Sequence, residues 1–192
     1  MLLPDEHVRA GWALTVARLG ADVSNFCDHA VHNEFTDREW VLDSGRALRA
    51  LACEIAAEMG DDLLSLYRAR LTAIERRNPL WSSEAPDGAD LAARAGTWRE
   101  LQLVQATHDH HYHPDVIGNS KLEQLHHYAL HIAKLAGACA ELAQSDETLE
   151  DFRTRRLPDL LLFGIKLSTV LGQALPDRPL APSRAERALS AA

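Results

Sequence analysis

Histidine is the residue in this chain whose type and spacing could do chemistry: seven of its ten histidines lie between His108 and His131. His127 and His131 stand at i, i+4, one turn apart on a helix, a spacing at which two imidazoles can reach a common metal ion as in the two-histidine part of zinc sites. The run HDHHYHPD, His108 to Asp115, adds His108, Asp109, His113 and Asp115 as further ligands. Asp159, Lys166 and Gln173 recur every seven residues in an otherwise apolar segment, so a carboxylate and an ammonium enter an element that should be buried. Such charges are costly unless paired or coordinating. Two site chemistries follow: a metal held by His127, His131, Asp159 and residues of the His108–Asp115 run, or an anion held by Lys134 and Lys166. Each feature has a plainer reading beside these. The stripe Gln124, His127, His131, Lys134, Glu141 also fits a solvent face, and HDHHYHPD also fits a solvated turn. His7, His29 and His32 read as surface or capping residues. Glu123 and His126 match a Glu-x-x-His pattern once only, and the cap below already explains Glu123.

Helices must position these groups, because Ala, Leu, Arg and Glu dominate at helical spacing and alternating strand patterns are nearly absent. The fold class is all-α, a bundle of about six helices. A first helix is expected over about residues 5–26. A second starts at a Thr36/Glu39 capping box and closes at Gly60, and a third carries Asp61 and Asp62 in its first turn and stops at Asn78-Pro79. Residues 1–78 thus form one helical half and 79–90, rich in Pro, Ser, Gly and Asp, a linker. Residues 91–175 form a second, His-rich half. It contains a helix over about 91–110 that turns His108 inward in phase with Trp98, Leu101 and Val104. A break follows at 113–119, then a helix capped by Ser120 and Glu123 with an a/d seam from Leu122 to Ala143. A charged turn over 146–156 leads to a nearly all-apolar helix from about Leu157 that should lie mid-bundle. Residues 176–192 read as a mobile tail, and the whole as one compact domain.

Composition sets outer limits. The chain has 192 residues, 46% of them hydrophobic and 25% charged, enough for one core and too ordered in composition for wholesale disorder. A net charge of -8 argues against a nucleic-acid polymer as partner, since phosphate neutralisation needs a basic face. The first residues, MLLPDEHVRAGW, carry no export signal, and the longest apolar run, Leu160 to Leu171, is too short for a bilayer and contains Lys166. The expectation is a cytoplasmic chain with no membrane segment. Cys27, Cys53 and Cys139 fit buried reduced thiols.

The stretches ALHIAKLAGACAEL (Ala129 to Leu142) and RLPDLLLFGIKLSTVLGQAL (Arg156 to Leu175) resemble the core helix pair of the MazG-like all-α nucleoside triphosphate pyrophosphohydrolases. AEMGDDLLSLYRARLTAIERRN (Ala57 to Asn78) resembles that family's Gly-x-Asp-Leu stretch and following helix, so the two halves would be related units. About half the chain is covered. The resemblance implies a four-helix bundle with ExxE on one helix and ExxD on the next. Here Asp159 stands at the ExxD aspartate, Arg156 replaces its glutamate partner, and Leu135 and Ala138 occupy the ExxE positions. The family's Mg²⁺ cage would then be lost, and the histidines would suit a softer divalent ion, Zn²⁺, Mn²⁺, Fe or Ni. The expected function is a metal-binding protein acting as a metal-dependent hydrolase on a nucleotide or other phosphorylated small molecule. Lys134 or Lys166 would neutralise developing charge. The alternative is a catalytically degenerate bundle serving dimerisation or partner binding. A homo-oligomer is expected in either case.

Overall fold

The computed structural model describes residues 4–77 and 87–180. It is all-helical: among the described residues no strand forms, and an isolated bridge pairs Thr97 with Pro179. Six longer helices build the bundle: α1 (Glu6–Val31), α2 (Arg38–Glu58), α3 (Leu63–Arg77), α5 (Trp98–Tyr112), α7 (Lys121–Gln144) and α9 (Leu157–Val170). Shorter pieces, α4 (Gly88–Arg94), α6 (Pro114–Ile117) and α8 (Leu149–Asp151), join them.

Several boundaries differ from the sequence expectation, each for a local reason. Helix α1 runs on to Val31, past the expected end near Phe26. Helix α2 is capped by Asp37, whose carboxylate accepts from Glu39 N at 2.9 Å, rather than by Thr36; the charged acceptor one residue on takes the orphan N–H. Its end is as expected, with Gly60 at φ 67, a left-handed position that favours glycine. Asp61 and Asp62 precede α3 rather than sit in its first turn. Asp62 accepts from Leu64 N and Ser65 N, while Asp61 pairs with Arg153. The expected helix over 91–110 is two helices. The chain is extended at Ala95, and a Thr97/Glu100 capping box starts α5 afresh. Helix α4 therefore begins inside the expected linker, whose residues 79–86, like the Asn78-Pro79 stop, lie outside the described residues. The 113–119 break contains the single turn α6, with Pro114 in its first turn. The Ser120/Glu123 capping box forms as expected. Residues 146–156 are a 3₁₀ turn, α8 and a π turn (Phe152–Arg156) that runs into α9. The start of the expected mobile tail is tied down. Trp98 N donates to Arg178 O and Leu180 N to Gly96 O, and residues 181–192 lie outside the described residues. Cys27 and Cys139 are buried free thiols, but Cys53 is exposed.

Packing crosses the two sequence halves. Helix α1 lies along α7 and α2 along α9, and one core cluster draws on both halves. The a/d seam of α7 is used in this way: Leu125, Ala129, Ile132 and Cys139 are buried, and a β-carbon on Gly20 of α1 would lie 3.1 Å from Ile132. Helix α9 is the central element, packed by α2, α3, α5 and α7, which is why it tolerates apolar residues on every side. Its contact with α2 is close enough to require glycine: a β-carbon on Gly164 would stand 2.8 Å from Arg49 Cγ and 2.9 Å from Gly45 O. No helix is long and apolar enough to cross a membrane among the described residues.

Candidate metal and anion cleft

Four elements meet at a cleft of about 310 Å³: Arg70, Ile74 and Arg77 from α3, His113, Asp115 and Val116 at α6, His127 and His131 from α7, and Asp159, Leu162, Phe163 and Lys166 from α9. Of the nine residues expected to serve a site, six line this cleft. His108 and Asp109 lie beside it, in its buried floor on α5. Lys134 is exposed on α7 outside the lining.

The floor is a dense cluster. Ligand atoms of His108, Asp109 and His113 all lie within 4.8 Å of one another. Asp109 Oδ1 lies 2.8 Å from Lys166 Nζ and accepts from Gln105 Nε2 at 2.9 Å, and Gln105 Oε1 in turn accepts from the Tyr67 hydroxyl at 2.7 Å. Apart from the half-buried His113 these side chains are buried, and the cluster is held from three helices. Lys166 also stands 5.4 Å from the Phe163 ring and 5.7 Å from that of Tyr128, and both ring faces are favourable for a cation.

His108 is the exception to this mutual satisfaction. Its side chain is 1% exposed, and neither ring nitrogen has a hydrogen-bond partner among the described residues. Glu75 Oε1, 3.6 Å from Nε2, is beyond hydrogen-bond reach and accepts instead from Gly88 N at 2.9 Å. A β-carbon on Gly88 would lie 2.6 Å from that oxygen and 3.1 Å from His108 Cδ2, so glycine at position 88 lets α4 approach the imidazole closely. Tyr112 stacks on its other side, with centroids 4.7 Å apart. Burial pushes the His108 pKa down to about 4, and the nearby His113, Lys166 and His111 push the same way against Asp109.

The wall histidines share this electrostatic setting. His127 and His131 pack ring to ring at 4.6 Å, and His131 stacks on Phe163 at 4.8 Å. Burial lowers His131 to about 4, helped by Lys134 and His127. It also lowers His113 and His127, each with Lys166 as the next cause. Each of these shifts favours the neutral imidazole, the form that ligates metals.

Asp159 lies in the cleft with both its oxygens engaged by Arg70, Nε to Oδ1 at 2.7 Å and Nη2 to Oδ2 at 3.0 Å. Asp115 is exposed at the rim. Arg70, Arg77, Gln105, Tyr67 and Glu75 were not anticipated. Arg70, Ile74 and Arg77 fall at i, i+4, i+7 on one face of α3, and Gln105 stands one turn before Asp109. The helical period therefore carried a signal for both groups. Comparison with protein-family models, with curated proteins and with solved structures finds no match to this chain.

Proposed function

We propose that this chain binds one divalent transition-metal ion on His108, Asp109 and His113. We further propose that the cleft above that site is where a nucleotide or other phosphorylated small molecule undergoes metal-dependent hydrolysis, on a bundle akin to the MazG-like enzymes. The observation that carries the reading is the buried His108 imidazole. Leaving such a group without partners costs about 1–3 kcal/mol, and a ligated ion beside Asp109 and His113 would offset it. Two imidazoles and a single carboxylate suit Zn²⁺, Mn²⁺, Fe or Ni better than Mg²⁺. When bound, such an ion supplies polarisation of a phosphoryl oxygen and acidification of a water. The chain's own groups do the rest. His127 and His131 line the approach as neutral acceptors, Arg77 and Lys166 present positive charge to the ligand, and Arg70 and Asp159 neutralise each other and hold α3 to α9.

Metal analysis of protein purified without a His tag, with titration of the apoprotein, tests the reading. One equivalent of metal, lost in the double variant His108→Ala/His113→Ala, is expected, together with metal-dependent release of phosphate or pyrophosphate from nucleotides that the double variant lacks. Trace metal with no uptake on titration would refute it. The burial of Leu135 and Ala138 in the core, at the positions where the MazG resemblance would put metal-binding glutamates, favours the alternative of a degenerate bundle that dimerises or binds a partner. In that case His127→Ala/His131→Ala would leave function intact, and light scattering would report a stable homo-oligomer.

A further inference from the structure

Lys166 and a metal ion compete for the same carboxylate. Asp109 is the only anion of the His108, Asp109, His113 cluster, and its Oδ1 lies 2.8 Å from the Lys166 ammonium. Lys166 and Asp109 cancel in charge, and the next carboxylate, Glu75, stands 3.6 Å from His108 Nε2. A divalent ion on Asp109 would add two charges to a buried site already holding an ammonium, which a low-polarity environment does not sustain. Repulsion between the ion and the ammonium therefore weakens the Lys166–Asp109 pair. Lys166 already lines the cleft, and on that side Arg77 has no partner among the described residues. Arg70, by contrast, is held by Asp159.

Resting on the metal reading above, we infer that metal occupancy releases Lys166 from Asp109 into the cleft, where with Arg77 it forms the binding site for the phosphate group of the ligand. Metal and phosphate then bind with positive coupling. Each raises the affinity of the other by the same factor, because linkage is reciprocal. Without the metal, the Lys166–Asp109 pair keeps the cleft a poor receptor for anions.

Untagged protein titrated with Ni²⁺ by calorimetry, with and without inorganic phosphate, tests this, using His108→Ala/His113→Ala to subtract uptake by exposed histidines. Phosphate should tighten Ni²⁺ binding by a factor in the range of about 5–150 usual for coupled sites. Lys166→Met should bind Ni²⁺ tighter than wild type without phosphate and show no phosphate effect. Asp109→Asn, which frees Lys166 without metal, should lose Ni²⁺ yet bind phosphate more tightly than wild-type apoprotein, so the inference stays testable if Lys166→Met does not fold. Equal Ni²⁺ affinity in wild type and Lys166→Met, phosphate coupling that survives in Lys166→Met, or unchanged phosphate affinity in Asp109→Asn would overturn the coupling while leaving the metal site standing. Absence of Ni²⁺ uptake by wild type and by Lys166→Met would overturn both.

Discussion

Replacing His108 by Leu separates the stability of this fold from its proposed use of metal. In the apoprotein the imidazole is 1% exposed with both nitrogens unpartnered, so its removal relieves about 1–3 kcal/mol of desolvation cost. Loss of the stack on Tyr112 takes back about 0.5–1.5 kcal/mol. The balance is a variant more stable than wild type by about 1 kcal/mol at pH 7. Acid enlarges the difference. The unfolded chain protonates His108 at its ordinary value of 6.5, whereas the folded chain resists until about 4. The stability this group permits is therefore fully present above 6.5 and is lost as the pH falls towards 4. At about 1.4 kcal/mol per pH unit the loss amounts to roughly 3 kcal/mol, which His108→Leu does not suffer. Urea unfolding of both chains at several pH values between 7.5 and 4, with chelator present, measures it, since every other titrating group is common to the two. Parallel stability profiles, or a variant less stable than wild type at every pH, would refute the view of His108 as an imidazole buried at a cost. The same variant should take up no metal.

Asp159→Asn should cost stability, on the order of 3 kcal/mol for breaking a nearly buried bidentate pair with Arg70, yet leave Ni²⁺ affinity almost unchanged; a large loss of affinity in calorimetry would identify Asp159 as a ligand. Gly164→Ala should lower the melting temperature, because its β-carbon meets Arg49 and the Gly45 carbonyl. The overpacking cost of about 1–3 kcal/mol outweighs the roughly 1 kcal/mol gain in helix propensity, and an unchanged melting temperature would show that α2 can back away from α9. Thr97→Ala removes the cap of α5 and should cost about 1 kcal/mol in chemical denaturation with no effect on metal uptake, since it lies at the helix end remote from His108.

Helix content, the Ser120 cap, the central place of α9 and the inward turn of His108 were all legible in the sequence. Each depends on local chemistry or on a 3.6-residue period, and the chain carries that information within a few turns. The break at Ala95-Gly96 was missed although Thr97 and Glu100 announce it, because the apolar period runs across it without a gap in phase. The partners of the charged groups were not legible. Asp159 and Lys166 sit one above the other on α9, and the sequence alone determined that both would be buried and would need opposite charges or a ligand. Only the tertiary structure decided that Asp159 meets Arg70, that Lys166 meets Asp109, and that His108 meets no hydrogen-bonding group among the described residues. Those pairings join residues as far apart in sequence as 70 and 159. They are set by how α3 and α5 dock on α9, and periodicity within a helix says which face is buried but not what faces it.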